Sequence, residues 1–115
     1  SEVSEYQRLP LYTVKTEKGR ICAKVIHVDG FGNLVTNVTY ETLEVAGIGL
    51  GSVLTVQAGA RSYRMPLVRN FASVPVEDLL LLVAGGGYLE ISVNQGNASI
   101  ELGVGKGVEI TLSLL

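Results

Sequence analysis

Residues 79–94 read LLLLVAGGGYLEISVN, and this stretch decides the fold class. The run Leu79–Ala84 is continuously apolar, which is typical of a strand buried on both faces. In Tyr88–Asn94 apolar and polar residues alternate, which is the pattern of a strand with one buried face. The three glycines between them predict a tight bend or bulge, and a place where a ligand approaches the backbone is the open alternative.

Outward from this stretch, short strand-like segments separated by glycine continue in both directions, and no helical period is sustained. The other segments with a strand pattern are Ile21–Asp29, Leu34–Tyr40, Val53–Gln57, Ser62–Val68 and the alternating C-terminus from Val108. Only Glu41–Ala46 has the pattern of a helical turn. About seven short strands and fourteen glycines predict an all-β fold. We expect a small closed or partly open β-barrel rather than a sandwich, because closure removes exposed edge strands.

The length of 115 residues fits one domain. Residues 21–115 are predicted to form the barrel domain, and the more polar residues 1–20 are interpreted as a lead-in or linker. The 47% apolar content is sufficient for a real core. The longest apolar run is far too short to span a bilayer, and no signal peptide is visible.

Charge and cysteine content exclude several classes of function. Nine Lys and Arg residues against eleven Asp and Glu residues give a net charge of −2 with no basic stripe, which argues against binding to nucleic acid. The single cysteine, Cys22, excludes an intrachain disulfide and a cysteine-based metal cluster. This composition fits a reducing compartment, and we expect a cytoplasmic protein.

The chain lacks the residues for a complete active site. His27, the only histidine, is interpreted as a half-exposed strand residue, and Cys22 as a buried structural thiol. The acidic residues are dispersed without metal-ligand spacing, so no metal is predicted. Gly103–Gly107 contains a Gly-Lys pair but lacks the following Ser or Thr and the helix of a phosphate loop, so it is interpreted as a turn.

The stretch Asp29–Asn37, which reads DGFGNLVTN, is the most informative for function. A hairpin rich in Asp and Asn explains its glycines and amides through positive φ angles, but it does not explain Phe31 in an exposed turn. An aromatic ring beside the Asn33 amide is what a purine pocket requires, since the ring stacks on the base and the amide reads its edge. On the residues alone, the turn and the nucleobase pocket both remain open.

Two separated motifs resemble one family. Residues 25–38, VIHVDGFGNLVTNV, are similar to the motif that opens the C-terminal domain of the S-adenosyl-L-methionine (SAM) hydroxide adenosyltransferases, which are SAM hydrolases related to the fluorinase and chlorinase. Residues 87–98, GYLEISVNQGNA, resemble a second motif of that family in order and spacing. Between them, residues 70–76, NFASVPV, resemble the segment that supplies another aromatic residue to the same pocket.

The resemblance implies a two-domain enzyme that converts SAM and water to adenosine and L-methionine. SAM is then the substrate, and no cofactor is implied. The catalytic residues of the family lie in an N-terminal α/β domain, and each active site lies between this domain of one subunit and the barrel of a neighbouring subunit in a homotrimer. Because the chain begins with Ser1 rather than Met, we expect that such an N-terminal domain precedes it in the native protein.

The resemblance also implies roles for individual residues. Asn33 would bond the adenine edge, Phe31 and Phe71 would wall the base, and Asp29 would lie near the methionine ammonium group. Gly85 occupies the place of a family serine that helps to bind the methionine moiety, so adenine recognition is retained more fully than methionine recognition. The substrate-binding residues implied are Asp29, Phe31, Asn33, Phe71, Gly85, Asn94 and Gln95.

The sequence therefore predicts the substrate-recognition domain of a SAM hydrolase, without activity on its own. A stand-alone barrel that binds adenosine or another nucleoside is the first alternative. A barrel that only mediates self-association is the second.

Overall fold

The computed structural model describes residues 14–115. The strands are β1 Lys15–Glu17, β2 Arg20–Val28, β3 Leu34–Thr39, β4 Val53–Ala58, β5 Arg61–Pro66, β6 Leu79–Val83, β7 Tyr88–Val93 and β8 Glu109–Leu114. Two short α-helices, α1 Tyr40–Val45 and α2 Ala98–Leu102, and one 3-10 turn, Phe71–Ser73, lie between strands.

The strands form a sheet in the order β5-β4-β8-β2-β3-β7-β6, and β1 adds to β2 outside this path. All pairings between named strands are antiparallel. The two ends of the sheet meet where the backbone N–H of Val68 donates to the carbonyl of Leu81 at 2.8 Å. This contact belongs to an isolated parallel bridge between Leu67 and Leu81, so the sheet curls into a nearly closed barrel. The predicted small all-β barrel of about seven strands is confirmed.

The two faces of β6 explain its continuous apolar run. Leu81 is fully buried in the barrel core. Leu80 and Leu82 face outward and pack against Val74 in a separate small cluster. A strand buried on both faces is therefore confirmed for this segment, because the chain after β5 folds back over its outer side.

The core of the barrel contains the inward residues of every strand of the main path. On β7 the three apolar residues of the alternating pattern are all buried there, as predicted. Among residues 14–115, the largest fully buried side chains are Ile21, Val25, Leu34, Leu43, Leu54, Met65, Leu80, Leu81, Leu89, Ile91, Ile110 and Leu112.

Three features differ from the sequence interpretation. Strand pairing begins already at β1, inside the segment interpreted as a linker, and residues 1–13 of that segment lie outside the described residues. Helix α2 was not predicted, because five residues are too few to show a helical period. Cys22 is half-buried rather than buried, since it lies on the outward phase of β2 between the core residues Ile21 and Ala23.

Candidate functional site

The loop between β2 and β3 is organised by the Asp29 carboxylate. Its Oδ1 atom accepts hydrogen bonds from the backbone N–H groups of Phe31 and Asn33, each at 2.9 Å. Its Oδ2 atom accepts a third bond from the Asn33 side-chain amide, also at 2.9 Å. This is the Asp-centred turn expected from the sequence, and it fixes both the Phe31 backbone and the Asn33 side chain.

Gly32 locks this loop against the loop that follows β7. Its φ of +84° is in the left-handed region, and a Cβ atom there would overlap the side chain of Asn97. The Gly32 carbonyl accepts a hydrogen bond from the backbone N–H of Ser99 at 2.9 Å. Asn97 also caps α2, because its Oδ1 atom accepts from the N–H of Ile100 at 2.9 Å. The two sequence motifs therefore form one packed unit.

Asn94 ties a third segment to this unit. Its side-chain amide donates to the carbonyl of Val74 at 2.9 Å. Its backbone carbonyl accepts from the N–H of Glu77 at 2.7 Å, and its backbone N–H donates to the carbonyl of Asp78 at 3.0 Å. These three bonds hold the segment that carries Phe71 beside the end of β7.

The three segments enclose a pocket of about 410 Å³. Its walls are Phe31, Asn33, Phe71, Val93, Asn94, Gln95 and Gly96. The Phe31 side chain is 80% exposed and that of Phe71 40%, so two aromatic rings face the solvent at the mouth of the pocket. Exposed rings beside a side-chain amide suit a flat, polar-edged heterocycle such as a nucleobase.

Most of the predicted site residues meet at this pocket. Asp29 does not line it, and holds its Asn33 wall instead. Gly85 lies in the turn between β6 and β7, at the opposite end of this hairpin from Asn94. That turn is closed by a hydrogen bond from the N–H of Gly87 to the carbonyl of Ala84 at 2.9 Å, so the predicted tight bend is present.

Three residues of the site, Val93, Gly96 and Asn97, were missed by the sequence interpretation. Val93 points toward the core like the other apolar residues of β7. It also lines the pocket, because it is the last residue of the strand. Asn97 positions the Gly32 loop, and its place before a helix of five residues gave little signal. The place of Gly96 and Asn97 within the second motif was the signal that could have found these two residues.

Two carboxyl groups on this side of the barrel have shifted pKa values. Partial burial raises the pKa of Asp29, but the hydrogen bonds from Asn33 and Phe31 and the nearby His27 outweigh it and leave this pKa below its usual value. Burial raises the pKa of Glu90, and the negative charge of Asp29 raises it further. Electrostatic coupling therefore links the Asp29 loop to the middle of β7.

Within residues 14–115, no group of three or more His, Cys, Asp and Glu side chains is arranged to hold a metal ion. His27 is exposed on the outer face of β2. None of the helices in this range is both long and apolar enough to cross a membrane. The pocket at the end of β7 is lined by aromatic rings, amide side chains, Val93 and backbone groups.

Comparison with known proteins agrees with this architecture. The fold and the site define a small antiparallel β-barrel domain with an aromatic and amide pocket at one end. Residues 23–111 match the family described as the SAM hydroxide adenosyltransferase C-terminal domain. The chain belongs to this family.

Two relatives carry the name (R)-S-adenosyl-L-methionine hydrolase. The one from Thermus thermophilus is 32% identical over 110 residues, which cover 96% of this chain and 37% of the relative. The one from Salinispora tropica is 32% identical over 108 residues, which cover 92% of this chain and 38% of the relative. The chain thus spans less than two-fifths of the length of these relatives.

Two solved structures share the fold. An uncharacterized conserved protein from Thermotoga maritima superposes with a TM-score of 0.83 at 30% identity, covering 88% of this chain and 38% of that one. A conserved hypothetical protein from Thermus thermophilus superposes with a TM-score of 0.65 at 30% identity, covering 94% of this chain and 39% of that one.

Proposed function

We propose that this domain recognises the adenosyl part of SAM for a hydrolase that forms adenosine and L-methionine. The pocket between Phe31 and Phe71 is the observation that carries the proposal. The adenine ring stacks between or beside these rings, and the Asn33 amide bonds its polar edge. Asp29 uses one amide hydrogen of Asn33 and thereby fixes the orientation in which the amide meets the base.

The chemical step is assigned to a part of the protein outside the described barrel. In-line attack of water on C5′ needs groups that orient the water, and the pocket consists of two phenylalanines, a valine, amide side chains and backbone. The high exposure of Phe31 supports a pocket whose second half comes from another surface. On the family pattern, this surface is the N-terminal catalytic domain of a neighbouring subunit in a homotrimer, in the cytoplasm.

Isothermal titration of the 115-residue chain with adenosine tests the proposal. Asn33→Ala is expected to weaken binding by about 1–3 kcal/mol, because the polar edge of adenine loses its partner. Phe71→Ala is expected to cost a similar loss of about 1–3 kcal/mol through lost stacking, without touching the Asp29 loop. Gln57→Ala, an exposed amide on β4, is the control and leaves the affinity unchanged.

The chain alone is expected to release no adenosine from SAM. Unchanged affinity in both pocket variants would contradict adenine recognition here. Hydrolysis of SAM by the pure chain would contradict the assignment of the chemistry to another domain.

A barrel that serves self-association is the second candidate, and the exposure of Phe31 and Phe71 is the observation that favours it. Analytical ultracentrifugation separates the two. Self-association that Phe31→Ser abolishes, together with no adenosine binding, would support the second candidate alone.

A further inference from the structure

The orientation of the Asn33 amide is fixed, because the group that faces it only accepts hydrogen bonds. The Asn33 Nδ2 group donates to the Asp29 Oδ2 atom at 2.9 Å. Despite partial burial, the hydrogen bonds from Asn33 and Phe31 keep the pKa of Asp29 below its usual value, so its carboxyl group is ionised at neutral pH. An ionised carboxylate has no hydrogen to donate, so an amide turned over would place its Oδ1 atom against a negatively charged oxygen.

The Asp29 carboxylate is itself held by the backbone of the loop. Its Oδ1 atom accepts from the N–H groups of Phe31 and Asn33, each at 2.9 Å. These two bonds keep the Oδ2 atom directed at the Asn33 side chain. Asn33 lines the pocket and Asp29 does not, so Asp29 acts on a bound base through Asn33.

The fixed amide presents its donor and its acceptor to the pocket in a fixed order. Asp29 uses one N–H of the Asn33 amide, which leaves the second N–H and the Oδ1 atom for a base. The Watson–Crick edge of adenine complements this pair, since its 6-amino group donates and its N1 atom accepts. Hypoxanthine has the reverse order, because its 6-oxo group accepts and its N1–H donates. The same amide orientation therefore bonds adenine and opposes hypoxanthine.

The other two amides of the pocket do not depend on Asp29. The Gln95 amide has no hydrogen bond within residues 14–115, and a half-turn of such a free amide exchanges its donor and acceptor to suit either base. The Asn94 amide is held by the Val74 carbonyl at 2.9 Å, so a change at Asp29 leaves it in place. A substitution of Asp29 thus changes the orientation of one amide in the pocket, that of Asn33.

We propose that Asp29 is a positioning residue that makes the pocket select 6-aminopurine nucleosides over 6-oxopurine nucleosides by fixing the orientation of the Asn33 amide. This inference rests on the proposed function and adds to it the group that sets base specificity. Asp29→Asn separates the two tasks of the carboxylate. In this variant the side-chain oxygen still accepts from the two backbone N–H groups, so the new NH₂ group points at Asn33. The Asn33 amide then turns over to accept from it.

Isothermal titration of the full 115-residue chain with adenosine and with inosine measures the selection. Neither nucleoside has a methionine moiety, so a contact of Asp29 with the ammonium group does not enter the comparison. We expect the wild-type chain to bind adenosine at least about tenfold more tightly than inosine. Asp29→Asn is expected to bind inosine as tightly as adenosine or more tightly. Glu109→Gln, an exposed carboxylate on β8, removes the same charge and is expected to leave the wild-type ratio unchanged.

A measurement on the wild-type chain keeps the inference testable should Asp29→Asn fail to fold. Nuclear magnetic resonance resolves the two protons of each side-chain amide. The Asn33 amide proton that is bonded to Asp29 is expected to exchange with water more slowly than the amide protons of Gln57, which is exposed on β4. Equal exchange in the two side chains would overturn the fixed orientation of Asn33.

The remaining outcomes separate this inference from the proposed function. An Asp29→Asn variant that still prefers adenosine, even with both affinities lowered equally, overturns the positioning role of Asp29 and leaves the proposed function intact. A wild-type chain that binds adenosine and inosine equally also overturns this role alone. Absence of adenosine binding to the wild-type chain overturns the proposed function, and the role of Asp29 with it.

Discussion

A single carboxylate sets the geometry of the residues that face the ligand. Asp29 accepts two backbone bonds and one side-chain bond within four residues of chain. It therefore acts first on the shape of the loop, and its charge reaches Glu90 as well. The family resemblance implies that Asp29 lies near the methionine ammonium group. The loop geometry adds a second role, which is to hold the Phe31 backbone and the Asn33 side chain in place.

Gly32→Ala tests the lock between the two loops. The new Cβ atom would overlap Asn97, and the φ of +84° disfavours any L side chain, so we expect a loss of about 1–3 kcal/mol in the free energy of unfolding. Urea denaturation measures it. Gly30→Ala is the matched control, because nothing lies within 4 Å of its Cβ position, and its loss is expected to be below about 1 kcal/mol. Equal losses of stability in the two variants would show that the close contact between Gly32 and Asn97 does not stabilise the fold.

Asp29→Asn tests the lowered pKa. A carboxyl whose pKa is lower in the folded chain adds stability above its unfolded pKa, and this stability is lost as the pH falls through the folded value. We expect the wild-type chain to be more stable than the variant at neutral pH, with a difference that shrinks from about pH 5 downward. Urea midpoints measured from neutral pH down to about pH 3 follow this change. A difference independent of pH would show that the Asp29 charge is not what stabilises the loop.

At the scale of elements, the site depends on three connections that meet at one end of the barrel. The β2–β3 loop and the start of α2 are joined through Gly32 and Asn97, while Asn94 holds the segment before β6. The β2–β3 loop and the connection from β7 to α2 are short, the segment before β6 is longer, and hydrogen bonds within this cluster hold all three. The pocket is therefore formed by the ends of β2, β3 and β7 and the segment tied to them.

Strands β3 and β7 carry two buried hydroxyl groups that are expected to have opposite effects on the stability of the fold. The Thr36 hydroxyl donates to the Leu89 carbonyl at 2.8 Å and accepts from the Val38 N–H at 3.1 Å. The Ser92 hydroxyl is buried without a partner in the described residues. One hydroxyl thus stabilises the fold and the other costs stability.

Ser92→Ala and Thr36→Val test this difference as a pair. Ser92→Ala is expected to raise the free energy of unfolding by about 1 kcal/mol, because it removes an unpaired polar group. Thr36→Val is expected to lower it by about 1–3 kcal/mol, because Leu89 and Val38 lose their partner. Thermal and urea unfolding measure both. A loss of stability in both variants would show that Ser92 makes a bond in solution.

On the scale of the whole molecule, the barrel has one weak seam. The other neighbours along the sheet are joined by ladders of paired residues, whereas β5 and β6 are joined through the bridge that follows β5. We expect local opening to begin at this seam, where few hydrogen bonds must break.

Amide hydrogen exchange measures this opening. The Val68 N–H, which donates across the seam, is expected to exchange at least about tenfold faster than the N–H of Leu112 in the centre of the sheet. Equal protection of the two amides would show that the barrel is closed as firmly here as elsewhere.

Much of the fold could be predicted from the sequence, because the alternation of apolar and polar residues within strands and the glycines between strands are local signals. Both faces of β6 and the buried face of β7 followed directly from their residue patterns. The absence of Asp29 from the pocket lining could not follow from pattern, since only the folded loop shows that its carboxylate accepts from the Asn33 amide instead. The engagement of the Asn94 backbone with Glu77 and Asp78 was equally invisible, because it depends on how a remote segment folds back.

The place of β8 in the sheet has a consequence for synthesis. This strand lies between β4 and β2, and its residues 109–114 are translated after all the other strands of the sheet. While the ribosome still holds them, the β2–β3 and β4–β5 hairpins can form, but neither has its neighbour on the β8 side. Folding of the barrel is therefore expected to complete only after these residues have left the exit tunnel, and until then each of the two hairpins has an unpaired edge on the β8 side.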